Sequence, residues 1–210
     1  MHVKRFVLNS MGTNTYVIGD PGSDVILLDP SHPNLQPVLE YVKEQKMNVR
    51  LIVNTHGHFD HIAGNEAART LFQAPLWCHD ADVPLLFRGK DLVQMYFGVS
   101  INVSQPDANL CEGMDIKIGG VHFTVLETPG HSPGSVCLYD REAQVLMSGD
   151  TLFAGTVGRT DFPESDAQAM MASLKNKLYP LPDDVKIYPG HEEDSTIGEE
   201  RMCNPFFHFV

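Results

Sequence analysis

This chain has little positive charge, little cysteine and no long apolar run. Against 27 aspartates and glutamates stand only 15 lysines and arginines, giving a formal net charge of −12. Such a surface repels phosphate backbones, so nucleic acid is not an expected partner. No stretch approaches the roughly 18 apolar residues of a membrane helix, so no membrane partner is expected either. The opening "MHVKRFVLNSMGTN" breaks its apolar run too early for the core of an export signal. The four cysteines, Cys78, Cys111, Cys137 and Cys203, form no CxxC pair. They read as reduced and mostly structural, which fits a cytoplasmic location. Low-complexity linkers, heptads and residue-level repeats are also missing. The 210 residues, 42% hydrophobic and 20% charged, suit a globular chain with a sizeable core, expected as one domain over residues 1–210. Nothing in the sequence sets an oligomeric state.

The first half opens with three short β-type runs, "HVKRFVL", "NTYVIGD" and "DVILLDP", separated by turn residues and read as a meander. Leu35, Val38, Leu39 and Val42 recur at helical intervals, which predicts a helix over 34–46. "VRLIVNT" reads as a buried strand, "HIAGNEAARTLFQA" as a helix and "PLWCH" as a short strand. Residues 80–108 predict one or two short helices and a covering loop. Strand signals resume in "IKIGGVHFTVLETPG", "SVCLYDREAQVLMSGD" and "VKIYPGH". Between the last two, "SDAQAMMASLKNKL" reads as a helix capped by Ser165 or Asp166. Strands followed by a helix occur twice, which predicts an α/β (α+β) fold of two packed sheets with helices outside.

The densest chemistry lies in "NTHGHFDHIAGN", residues 54–65. His56 and His58 stand two apart at a strand end, so their imidazoles project to the same side. Asp60 and His61 follow as the chain turns into a helix and can serve a second cation. Imidazole and carboxylate donors suit Zn²⁺, Mn²⁺ or Fe²⁺. Three further motifs share one plan of apolar strand, glycine, then a lone ligand-type residue. "ETPGHSPGS" carries His131, "VLMSGDTLF" carries Asp150 and "KIYPGHEE" carries His191. Glycine at these points permits a sharp turn and close backbone approach. His2, His32, His79, His122 and His208 lack such company and read as structural or surface residues, with His32 placed to edge the site.

The set THGHFDH, PGHSPGS, GDTLF and PGH resembles the metallo-β-lactamase superfamily over nearly the whole chain. The resemblance implies a four-layer αβ/βα sandwich with two divalent metal ions at one edge, zinc first and iron or manganese compatible. It implies His56, His58 and His131 as ligands of one ion, Asp60, His61 and His191 as ligands of the other, and Asp150 as the bridge. Asp29 would orient the ligand loop by hydrogen bonds and Thr55 would help hold it. "GRTDFP" and "STIGEERMCNPFF" resemble the glyoxalase II branch, in its short single-domain form. That implies hydrolysis of a small-molecule thioester such as S-lactoylglutathione by a hydroxide bridging the metals, with Asp60 as the catalytic residue that orients it or relays its proton. The branch's C-terminal helical extension, which grips glutathione, has no counterpart here. The alternative is a mononuclear iron persulfide dioxygenase of the same superfamily, with iron on His56, His131 and Asp150. An aspartate at 150 argues against the best-known zinc β-lactamases, which carry cysteine there. Arg159, in "GRTDF", either pairs with Asp161 in a structural turn or borders the substrate groove. Met95, Tyr96 and Phe97 read as core, or as a flap over the site.

Overall fold

Two six-stranded sheets carry the molecule in the computed structural model, which describes residues 1–208. The first contains β1 (Val3–Val7), β2 (Asn14–Ile18), β3 (Asp24–Leu28), β4 (Asn48–Val53), β5 (Leu76–Cys78) and β6 (Ala108–Asn109), in that spatial order. β1 to β3 form an antiparallel meander, and β4 to β6 then add in parallel. Parallel neighbours need long crossovers, and helices supply them. These are α1 (Gln36–Glu44), α2 (Phe59–Ile62), α3 (Asn65–Phe72) and α4 (Val83–Phe97).

The second half repeats the plan. β7 (Asp115–Ile118), β8 (Val121–Glu127), β9 (Val136–Asp140) and β10 (Val145–Gly149) make a meander. A small ribbon of β11 (Leu152–Phe153) and β12 (Thr156–Val157) follows, then α5 (Ala167–Ser173). The chain returns as β13 (Lys186–Pro189), parallel to β10, and closes with β14 (Ser195–Thr196) and α6 (Ile197–Cys203).

Period-two alternation sorts the side chains into layers. Tyr16, Ile18, Ile26, Leu28, Leu51 and Val53 of the first sheet meet Phe123, Val125, Val136, Leu138 and Met147 of the second in the central core. The opposite faces bury Val17, Val25, Leu27 and Ile52 against Leu35, Val38 and Val42 around α1, and Leu146 and Ile187 against Met170, Leu174 and Ile197. The result is the expected α/β/β/α sandwich. Full burial of each such side chain is worth roughly 1.5–3 kcal/mol, so the central core and the two outer cores all contribute substantially to stability. Among the described residues, no helix is long and apolar enough to cross a membrane.

Three local differences from the sequence reading have physical causes. The helix read from His61 to Ala74 is two pieces, because Gly64 presses on the 30–32 loop. Its amide donates to Pro30 O at 2.7 Å, and a Cβ there would sit 2.5 Å from His32 O. Residues 80–108 open with the expected short helix, a 3-10 turn over Asp80–Asp82, but the helix that follows, α4, is 15 residues long rather than short. Pro84 in its first turn starts it and Gly98, at φ 68°, ends it. Gly89, which weakens a helix in isolation, lets α4 pack onto Ile62 and Phe59 of α2. On α4, Met95 (75% exposed) and Tyr96 (56%) face solvent, so the core reading fails for both. Asp166 caps α5 and Thr196 caps α6, each accepting helix-start amides. All four cysteines are free.

Candidate metal centre

The two sheets bring their ligand-type residues to one edge. β3 and β4 run parallel, and their C-terminal ends deliver Asp29 and the turn from Asn54 to His61. β8 and β10 are both antiparallel to β9, and β13 is parallel to β10, so these three also point one way. Their ends deliver His131, Asp150 and His191. The seven side chains converge. His56, His58 and His131 form one group whose donor atoms lie within 4.8 Å of one another; Asp60, His61 and His191 form another; His56, His61 and Asp150 form a third between them. Asp150 reaches both sides, with Oδ1 3.4 Å from His61 Nε2 and Oδ2 3.4 Å from His131 Nε2 and 3.5 Å from His191 Nε2.

The glycines before these residues are needed where they stand. Gly130 has φ 149° and its missing Cβ would strike Met170. Gly149 has φ 49° and a Cβ on it would sit 2.6 Å from Thr55 Oγ1, while a Cβ on Gly190 would overlap Asp150 Oδ1.

Four of the five imidazoles are tied by one nitrogen and turn the other inward. His61 Nδ1 is 3.0 Å from Asp29 Oδ2, His56 Nδ1 is 3.1 Å from Thr55 Oγ1, and His131 Nδ1 donates to Arg159 O at 2.9 Å. His58 Nε2 is 3.4 Å from Glu164 Oε1. Asp29, a non-glycine residue at φ 48°, also accepts the Thr55 amide at 2.8 Å and its hydroxyl at 2.7 Å. Partners of this kind fix ring orientation and tautomer at a metal.

The inward atoms are left in need of a cation. His58 Nδ1 and His131 Nε2 face each other at 2.8 Å, and His61 Nε2 and His191 Nε2 at 3.3 Å. His56 Nε2 and Asp150 Oδ1 are buried without a hydrogen-bond partner. Burying unpaired polar atoms costs free energy, and a metal ion removes that cost. Charge follows the same division. Burial, then the charge of neighbouring histidines, pushes His56 well down and His58 down to about 4. Burial opposes protonation of His61 too, but Asp150, Asp60 and Asp29 outweigh it and lift His61 to about 10. Burial likewise works against the Asp60 charge, yet His61, His191 and the Thr13 hydroxyl hold that carboxyl well below its usual range.

The sequence model of the metallo-β-lactamase superfamily matches residues 9–191. The chain belongs to the metallo-β-lactamase superfamily. Metal-dependent hydrolysis is the coarse function that this membership carries, and the His/Asp cluster supports two divalent ions. The chain is 31% identical to the hydroxyacylglutathione hydrolase GloC of Haemophilus influenzae, covering 98% of each chain. Among solved structures, it is 36% identical to TTHA1623 in a di-iron-bound form, covering 97% of this chain and 100% of that one, with a TM-score of 0.85. It is 32% identical to BLEG-1, a B3 metallo-β-lactamase, covering 98% and 99%, also at a TM-score of 0.85.

In this superfamily member the sequence reading missed several supporting residues. Asp82, fully buried, accepts the Gly57 amide at 2.7 Å, the Gly134 amide at 2.6 Å and the Ser132 hydroxyl at 2.6 Å. It joins the His56–His58 turn to the His131 loop. Thr13 donates to Asp60 Oδ2 at 2.7 Å, and Asn9 donates to Asp60 O at 3.0 Å. Glu164 is itself held by Arg88 of α4 at 3.0 Å. Arg159 pairs with Asp161 through two bonds, at 2.6 and 2.7 Å, and its guanidinium lies over Phe162. It also lines the cleft that opens above the ligands, about 780 Å³ in volume. His32 does not line that cleft; it packs beside Phe97.

Proposed function

We propose that this protein is a thioester hydrolase acting on S-acylglutathione-like small molecules such as S-lactoylglutathione, with two divalent ions, zinc first and iron or manganese as alternatives. The observation that carries the reading is the position of Asp150 between the two histidine groups, with Oδ2 near both His131 and His191 and Oδ1 near His61. The similarity to GloC adds support. His56, His58 and His131 would hold one ion, Asp60, His61 and His191 the other, and Asp150 both.

Ions in these positions supply Lewis acidity for the thioester carbonyl and lower the pKa of water toward neutrality. Asp60 stays ionised in the cleft lining, steadied by Thr13, where it orients the attacking water, whose lowered pKa lets its proton go. A C–O bond forms at the carbonyl carbon, the C–S bond breaks, and the departing thiolate takes up the proton. Arg159 is placed at the groove wall, its charge balanced by Asp161. Four free cysteines agree with a reducing cytoplasm as the working location.

The test is metal quantification on protein purified without chelators, paired with a panel of thioesters. Two divalent ions per chain and release of thiol are expected. One iron per chain with oxygen uptake on glutathione persulfide would establish the dioxygenase reading instead. Cleavage of β-lactams with every thioester untouched would also overturn the proposal.

A further inference from the structure

We infer that the cleft selects a thioester with an uncharged, apolar acyl arm, and that this arm lies along Val7, Met11, Phe59 and Leu92. This deepens the thioesterase reading and rests on it. Three separate segments build the apolar lip. Val7 ends β1 and Met11 lies in the turn that follows it, Phe59 comes from α2 and Leu92 from α4. Val7 is 58% exposed, Met11 46% and Leu92 38%, all facing the same cleft that holds His58, Asp60, His131, Asp150 and His191. Large apolar side chains gathered in the open beside reactive groups mark a place where apolar ligand surface is removed from water.

Charge points the same way. Among the described residues lining the cleft, Arg5 and Arg159 are the guanidinium groups, and no lysine joins them. Arg5 is bound by Glu193 at 2.5 Å and Asp194 at 3.5 Å; Arg159 is bound by Asp161 at 2.6 Å. Glu164, Glu192 and Glu193 also line the cleft. Both guanidinium groups are thus already paired with acids, whereas an apolar arm on the lip displaces only water. A short hydroxyacyl group such as lactoyl leaves the apolar lip uncovered.

The experiment is a series of N-acetylcysteamine thioesters with acetyl, butanoyl, hexanoyl and octanoyl groups, run beside S-lactoylglutathione on the metal-loaded protein. kcat/KM is expected to rise about two- to fourfold per added methylene over the first members. Met11→Ser and Leu92→Ser are each expected to lower the hexanoyl-to-acetyl ratio about three- to tenfold. A ratio taken within one protein cancels any loss of folded or metal-loaded enzyme. Thioether analogues, with CH₂ in place of the carbonyl, should show the same length dependence in calorimetric binding without turnover. A series that is flat or falls with length, or a ratio unmoved in both variants, overturns the apolar-arm inference while hydrolysis of S-lactoylglutathione still upholds the thioesterase. Silence across the whole panel overturns the thioesterase reading itself.

Discussion

Asp82 accepts the backbone amide of Gly57 at 2.7 Å, 25 residues away in the chain, and so fixes the link between His56 and His58. The same carboxylate holds Gly134 and Ser132 beside His131. Removing it leaves two buried amide donors unpaired, at about 1–3 kcal/mol each where no water replaces it, while the Ser132 hydroxyl keeps Ser135 Oγ at 2.7 Å. Asp82→Ala is expected to cost about 2–5 kcal/mol of stability in denaturant unfolding. It should also weaken metal binding about 10–100-fold in chelator competition. Asp82→Asn, which keeps one acceptor, should fall between. Native metal affinity in Asp82→Ala would show that the ligand loops hold themselves.

Glu164 acts on one ligand only, His58, and is steadied by Arg88 from across the cleft. Glu164→Ala is expected to weaken one of the two ions about tenfold and spare the other. Arg88→Ala should do the same to a smaller degree. Stepwise metal titration followed by calorimetry separates the two events. Equal weakening of both would contradict a role confined to His58.

Asp150 should behave differently, because its oxygens approach histidines of both groups. Asp150→Ala is expected to lose both ions together and to abolish hydrolysis, whereas His131→Ala should mainly lose one. Metal content by elemental analysis is the readout. Retention of both ions with full activity in Asp150→Ala would remove it from the centre.

Metal binding should release protons unevenly. His58 is held at about 4 by burial and the neighbouring His131, so it is neutral at pH 7.5 and yields no proton to an ion. His61 is held near 10, because Asp150, Asp60 and Asp29 overcome the burial that opposes its charge. His191 is raised as well: burial opposes its charge, but the hydrogen bond to Asp60 and the charges of Asp150 and Asp60 together outweigh it. An ion entering the Asp60, His61 and His191 group must displace those protons. A raised folded-state pKa means that the proton competes until pH passes it. Affinity for that ion should therefore climb with pH through about 10, while the His58 contribution to the other group is constant above about 4. Calorimetry in buffers of different ionisation enthalpy counts the protons. Equal release by both ions would refute the asymmetry.

Gly190 offers a steric test. A methyl group there would overlap Asp150 Oδ1 and lie 2.8 Å from His61 Cε1. Gly190→Ala is expected to fold with a cost of about 1–3 kcal/mol and to lose metal. Normal metal content at lowered stability would separate packing from ligand placement.

Much of the fold was legible because local rules and global packing agree. Val17, Ile18, Val25 and Ile26 alternate between two cores, which is what consecutive apolar strand residues covered on both faces must do. The seven ligand-type side chains were legible because each follows a strand and a glycine or sits in one dense turn. Asp82 was not. It stands just before Val83 and Pro84, where an acid reads as a helix cap, yet its carboxylate caps nothing and turns toward the ligand loops. Thr13, Asn9 and Glu164 carry no local signal, since their partners lie 47, 51 and 106 residues away. Met95 and Tyr96 misled because an apolar residue on a helix says which face exists, not whether anything covers it.

The seam between β2 and β13 sets an order of events during synthesis. Asn14 donates to the carbonyls of Pro189 and Glu192, and Thr13 bridges to His191, although almost the whole chain separates them. A nascent chain emerging from the ribosome carries His56, His58, Asp60 and His61 long before residue 191 is free. Until then β2, though flanked by β1 and β3, lacks the contacts that tie it to the second sheet, and the Asp60, His61 and His191 group is incomplete. The His56, His58 and His131 group is complete sooner, so the Asp60, His61 and His191 group would be the later of the two to accept a cation.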